Sequence, residues 1–196
     1  MPPTRLPSLL EANIDFVTER LAVGGDLDPS DAKARRQIVD IVESGITHVL
    51  DVRLEWTDQP LWDAMPAIDY RWDGIDDAGQ RVPPEWFDRV ATWALRALAQ
   101  PDTKLLTHCH MGVNRGPSAG FAVLLALGVD PITALTQIRA ARPIAHVAYA
   151  EDALAWHHLC IGASAEQRRD DLRRVATWRR DNALDVASVI RRIRRR

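Results

Sequence analysis

The sequence has 196 residues, 46% apolar and 27% charged, with a formal net charge of −2. That is enough chain for one domain with a sizeable core, and no window approaches the roughly 18 uninterrupted apolar residues of a membrane helix. Two cysteines, Cys109 and Cys160, exclude a disulfide framework.

The opening MPPTRLPSLLEANIDF has too short an apolar run, broken at Pro7, for a signal peptide, so a cytoplasmic protein is expected. Charge is unevenly spread. From Arg168 onward eleven arginines face four aspartates, an excess of seven positive charges that leaves the rest of the chain nine negative. In AEQRRDDLRRVATWRRD acids and arginines are spaced to pair along a solvated helix. The closing VIRRIRRR is less balanced, with nucleic acid or an acidic partner as the minority reading.

In chain order, FVTERLAVGG reads as a hairpin or two short strands. PSDAKARRQIVDIVESG reads as a helix capped at Ser30 and stopped at Gly45, feeding a buried strand, ITHVLDVR (Ile46–Arg53). A loop rich in Trp, Asp and Pro leads to an extended piece around IDYRW. The helix PPEWFDRVATWALRALAQP follows, with Phe87, Val90, Ala94 and Leu98 on one stripe. A second buried strand covers Lys104–His108. Pro117 is expected to open the next helix, PSAGFAVLLALG, apolar on nearly every side and therefore central. DPITALTQIRAARP and VAYAEDALAWHHLC add two helices, and Cys160 falls on the apolar face of the second, as a small buried hydrophobe. Alternating strand and helix indicates an α/β fold, a central sheet flanked by helices. Trp56, Trp62, Trp72 and Trp86 fit core positions for the most part, with a share in lining a pocket as the alternative.

The chemistry concentrates in HCHMGVNRGPS (His108–Ser118). A loop between a buried strand and a helix N-terminus turns several backbone N–H groups into one hollow, an anion site. Gly112 permits the tight turn, and Arg115 can fork two donors onto phosphate oxygens. A thiol there, ordinarily ionising near pH 8.5, is expected to ionise well below that value, so Cys109 becomes a nucleophile aimed at phosphorus. Zinc on His108, Cys109 and His110 is disfavoured, because neighbouring strand residues point to opposite faces and no second ligand pair occurs. No metal or cofactor is expected.

HCHMGVNR resembles the His-Cys-x5-Arg signature of the protein tyrosine phosphatase superfamily, and GPS resembles the Ser-Pro-Thr or Ser-Pro-Ser of its dual-specificity branch. RLAVGG, SGITHVLDV and IRAARP are similar to further segments of that branch, so the resemblance spans Ile14 to Leu159. It implies a catalytic domain over 1–160, with a mostly parallel sheet, and an arginine-rich helical extension over 161–196. It also implies a two-step hydrolysis. Cys109 forms a thiophosphate. Arg115 and the backbone N–H groups of His110, Met111, Gly112, Val113 and Asn114 bind the equatorial oxygens, and His108 supports the loop and the thiolate. An aspartate on a neighbouring loop protonates the leaving group and then activates water.

YRWDGIDDAGQ offers Asp73, Asp76 and Asp77 for that acid. The branch's spacing from Tyr70 ranks Asp77 first, then Asp76 and Asp73. Gly116 departs from the pattern, which places a hydroxyl there to stabilise the departing thiolate, so a slow second step is expected. The implied substrate is a phosphorylated protein, through phosphotyrosine and also phosphoserine or phosphothreonine. No lysine in the loop supports a polyphosphoinositide. The alternatives are a weakly catalytic phosphate-binding module, for which Gly116 speaks, and a phosphatase of nucleotide or RNA 5′-phosphates.

Overall fold

The structure, a computed structural model, describes residues 11–194. The signal-peptide reading rests largely on the first ten residues, and the last two arginines belong to the basic tail; both stretches lie outside the described residues. No helix among the described residues is long and apolar enough to cross a membrane.

Strands β1 (Ile14–Phe16) and β2 (Leu21–Gly24) form the expected hairpin. Helix α1 (Asp31–Glu43) leads to β3 (His48–Arg53), and the tryptophan-rich loop contains a single turn, α2 (Gln59–Trp62). Strand β4 (Asp69–Ile75), α3 (Pro84–Leu98) and β5 (Leu105–His108) follow, then α4 (Arg115–Ala126), α5 (Pro131–Ala141) and α6 (Ala150–Cys160). Two helices close the chain, α7 (Ala165–Asp181) and α8 (Val186–Ile193).

The sheet order is β1-β2-β5-β3-β4, with β1 antiparallel and the other pairings parallel. Side chains alternate across it, as strand geometry requires. Leu21, Leu50 and Leu105 face the cluster built from α3, α4 and α6, including Phe87, Phe121 and Leu154. Ala22, Val49 and Leu106 face Ile38 and Ile41 of α1 and Trp62 of α2. Helix α4 is buried along nearly its whole length, which explains why its sequence is apolar on every side.

Parallel strands carry their carboxyl ends to one edge, where crevices form in open α/β sheets. Register places Gly24 and Asp51 on either side of His108, so β2, β3 and β5 deliver their last residues together. On β4 a register shift opposite Asp51–Arg53 is accommodated by Gly74, where a Cβ would stand 2.2 Å from the Arg53 carbonyl oxygen.

Two expectations are corrected. Helix α4 starts at Arg115 rather than Pro117. Pro117 is its third residue, where the missing N–H has no intrahelical partner to lose. Cys160, the last residue of α6, is exposed rather than buried, because the apolar stripe of that helix runs through Ala153, Leu154, Trp156 and the ring of His158.

Candidate active site

The segment from Cys109 to Asn114 wraps the N-terminus of α4, and its carbonyl oxygens are tied outward. His110 O accepts from Asp26 N (2.8 Å) and Val113 O from His146 N (2.6 Å). Arg142, the buried residue that ends α5, donates through Nε to Gly112 O (2.6 Å) and through Nη2 to Met111 O (3.1 Å). Its remaining contacts, Asp15 at 2.8 Å and Asn13 at 2.9 Å, anchor it to the strand hairpin. Among the described residues no N–H of residues 110–114 donates to another protein group. With the carbonyls held outward, those donors are left to the hollow above Cys109, whose side chain is buried beneath them. Gly112 has φ +64°, and a Cβ there would meet the Gly24 carbonyl at 2.6 Å, so glycine is required twice over.

Arg115 enters the same hollow from the first residue of α4. Glu55, just past β3, takes Nη1 and Nη2 in a fork at 2.7 Å each, and Ile75 O accepts from Nη1 at 2.9 Å. These contacts occupy the distal end of the guanidinium. The Nε edge remains, with Nε lacking a hydrogen-bond partner and the second Nη2 hydrogen beside it. That edge has the fork geometry that matches two phosphate oxygens. Burial would lower the pKa of Arg115, but the Glu55 hydrogen bonds and the charges of Cys109 and Asp77 outweigh it and raise it. Hydrogen bonding to Arg115 in turn holds the Glu55 carboxyl at about 2.

The three candidate acids separate cleanly. Asp73 is held between Arg71 (3.0 Å) and Arg89 (2.9 Å), and its carbonyl accepts from Trp86 Nε1 (2.9 Å), so it belongs to the packing of β4 on α3. Asp76 is exposed and accepts from the N–H of Asp77 at 2.7 Å. Asp77 alone reaches the loop: Oδ1 accepts from Asn114 Nδ2 at 2.6 Å and from Tyr149 OH at 3.3 Å, and Oδ2 lies 3.5 Å from Arg115 Nε.

Beneath the loop lies a second ionic cluster. Arg53 is fully buried and donates through Nε to Asp51 (2.8 Å), through Nη2 to Asp51 and Asp58 (2.6 Å), and through Nη1 to Asp26. Tyr70 OH adds a bond to Asp51 at 2.6 Å. Burial would raise the Asp51 carboxyl, but hydrogen bonds and charge from Arg53 hold it below its ordinary range. His108 is buried with neither ring nitrogen hydrogen-bonded among the described residues, and Nε2 lies 3.9 Å from Asp51. Burial lowers its pKa, so the ring is neutral at neutral pH. Ligand atoms of Asp51, Asp58 and His108 lie within 4.8 Å of one another, but the Arg53 guanidinium already sits between the carboxylates as their cation. The donor set does not suit a metal as it stands.

At Gly116 the structure supplies a steric reason for glycine. A Cβ would lie 2.9 Å from His108 Cα and 3.1 Å from Cys109 N, because the first turn of α4 packs directly on the end of β5. Thr107 Oγ1 donates to Gly116 O at 2.8 Å and seals that contact. His110 is exposed, pairs through Nδ1 with Asp26 (3.1 Å) and meets Trp56 edge-on at 5.2 Å. Trp56 and Trp72 are exposed at this edge while Trp62 and Trp86 are buried, so the four tryptophans divide evenly.

Sequence reasoning did not single out Glu55, Arg142, Tyr149, or Arg53 with its three aspartates. Arg142 did lie within IRAARP, where an arginine before proline at a helix end was a usable signal.

No family model matches this sequence, and no curated protein matches it by sequence. Solved structures do match its fold. A mouse putative dual specificity phosphatase complexed with zinc tungstate aligns with a TM-score of 0.64 and 16% identity, over 80% of this chain and 94% of its own. Human DUSP28 aligns at 0.62 and 16%, over 80% and 97%. PTPMT1 in complex with PI(5)P aligns at 0.63 and 14%, over 78% and 99%. The chain thus has the α/β fold of these dual-specificity-type phosphatases.

Proposed function

We propose that the chain is a cysteine-dependent phosphomonoester hydrolase acting on phosphotyrosine, and on phosphoserine or phosphothreonine, of protein substrates. The observation that carries this reading is that the N–H groups of residues 110–114, in the loop around buried Cys109, and the buried Nε of Arg115 have no hydrogen-bond partner among the described residues. Such fixed donors favour the charge that builds on the equatorial oxygens as phosphorus passes between nucleophile and leaving group. In the first step the Cys109 thiolate forms the S–P bond as the P–O bond to the leaving group breaks, and Asp77 gives its proton to the departing oxygen. In the second, water adds to phosphorus, Asp77 takes back a proton, and the S–P bond breaks to return thiolate and inorganic phosphate. His108 acts as a neutral, space-filling support between Cys109 and Asp51.

The charge of the mouth supports a singly phosphorylated substrate over a polyanionic one. Glu55 and Asp77 flank the single loop arginine, and His110 is already paired with Asp26. PTPMT1 was solved with PI(5)P; this chain brings no lysine to its loop for additional phosphates. The test is pre-steady-state hydrolysis of p-nitrophenyl phosphate together with intact-protein mass spectrometry. A burst with a phosphate adduct on Cys109, absent in Cys109→Ser, is expected. Phosphopeptide binding with neither burst nor turnover would leave a phosphate-binding module instead.

A further inference from the structure

Resting on the phosphatase reading above, we infer that Tyr149 and the side-chain amide of Asn114 are positioning residues that keep the acid proton of Asp77 on Oδ2, the oxygen facing the phosphate site. A protonated carboxyl offers one oxygen as donor and one as acceptor. Asp77 Oδ1 accepts from Asn114 Nδ2 at 2.6 Å, and the Tyr149 hydroxyl, 3.3 Å away, can direct its one hydrogen there. A proton on Oδ1 would collide with the Asn114 N–H and would turn the Tyr149 hydrogen away to Asp76 O or Gln80 Oε1. Oδ2 stands 3.5 Å from Arg115 Nε, the unpartnered edge on which phosphate would dock. The proton is thereby aimed where a leaving oxygen must depart.

The Asn114 amide and the Tyr149 ring are themselves fixed. Asn114 Oδ1 accepts from Ala148 N (2.7 Å) and from Ser118 Oγ (3.2 Å), so the amide cannot flip without losing both, and Nδ2 must face Asp77. Tyr149 is buried at the start of α6, and its hydroxyl sits among Asp77 Oδ1, Asp76 O (3.3 Å) and Gln80 Oε1 (3.2 Å). Gln80 Nε2 donates to Asp76 O at 2.7 Å, which closes the acid loop on itself.

A strained residue turns Ala148 toward Asn114. Val147 has φ +53°, a left-handed conformation that a β-branched side chain adopts only when its surroundings impose it. Arg179 of α7 imposes it from outside, with Nη2 bonded to Val147 O (2.7 Å) and Ala148 O (2.8 Å). The C-terminal extension is thus connected to the acid loop through Arg179, residues 147–148 and Asn114.

The experiment measures kcat/KM, which reports the first chemical step, across dinitrophenyl, p-nitrophenyl and phenyl phosphate. Poor leaving groups need the acid; good ones do not. Tyr149→Phe keeps the buried ring and is expected to lose about tenfold on phenyl phosphate and less than about twofold on dinitrophenyl phosphate. Asp77→Asn should show the same trend more steeply, and adding Tyr149→Phe to it should cost nothing further. Arg179→Met, which touches no reacting group, should lose about threefold on phenyl phosphate alone. It also carries the test in case Tyr149→Phe does not fold. An equal loss on all three esters, or no loss, in both variants while Asp77→Asn retains its trend overturns the positioning role. A flat Asp77→Asn profile overturns instead the assignment of Asp77 as acid, and the clamp with it.

Discussion

Arg53 and Arg115 are both buried and both meet carboxylates at the same edge of the sheet, one beneath the loop and one within it. Arg53 distributes its guanidinium over Asp26, Asp51 and Asp58, leaving no edge to a ligand. Arg115 is held from behind by Glu55 and the Ile75 carbonyl, with its Nε left without a hydrogen-bond partner among the described residues. Residue type, burial and acidic company are therefore shared by a structural arginine and a candidate binding one. What separates them is which donors the protein leaves unclaimed.

The comparison breaks if the two arginines respond alike to substitution. Arg53→Met leaves three carboxylates without their cation, one of them, Asp51, fully buried, and is expected to cost about 3–5 kcal/mol of folding stability. Thermal or urea unfolding measures it directly. Arg115→Lys keeps a positive charge but loses the fork. Its stability should change little while kcat/KM on p-nitrophenyl phosphate falls about 100- to 1000-fold, the scale of losing oriented transition-state donors. A large loss of activity with an unchanged melting temperature in Arg53→Met would show that the lower cluster serves the reaction rather than the fold.

The same contrast explains what could be read from sequence. The loop was legible because its parts are contiguous: Cys109, Gly112 and Arg115 lie within seven residues, and a strand followed at once by a helix leaves the chain few ways to run. That Asp77 would be the aspartate beside the loop could be foreseen only by spacing, since Asp73 and Asp76 are the same residue type within four positions. The supports were not legible. Glu55, Tyr149 and Arg142 come from 60, 34 and 27 positions away from Arg115, and only the order β2-β5-β3-β4 and the packing of α5 and α6 on α4 bring them in. Arg53 and its aspartates looked like ordinary charges around a strand end. Periodicity likewise placed Cys160 inward without foreseeing where the stripe on α6 would end.

Gly116 sharpens the comparison between loop and support. The superfamily resemblance asks for a hydroxyl at this position, but the first atom of any side chain would press on the backbone of His108 and Cys109. Gly116→Ser is therefore expected to lose about 1–3 kcal/mol of stability, as overpacked core sites do, and to lower activity rather than accelerate the second step. Gly116→Ala separates the two effects, because it adds the Cβ without the hydroxyl. Matching losses in both variants would assign the effect to packing. Faster turnover in the serine variant alone would restore the missing-hydroxyl explanation.

The smallest effect belongs to the Glu55–Arg115 fork, and its sign follows from the carboxyl. Glu55 falls from its ordinary 4.5 to about 2 in the folded chain, chiefly through its hydrogen bonds to Arg115. A depressed carboxyl stabilises the fold at pH above the unfolded value and loses that contribution as pH falls through the folded one. The difference in melting temperature between the native chain and Glu55→Gln should be constant from neutrality to about pH 5 and shrink toward pH 2. Because the Glu55 side chain is 43% exposed, the difference should correspond to no more than about 1 kcal/mol. Its effect on kcat/KM should exceed what that small stability change suggests, because the fork fixes the angle at which the free edge of Arg115 meets phosphate. Equal, negligible effects on stability and rate would mean that Ile75 O and the packing of α4 orient Arg115 without help from Glu55.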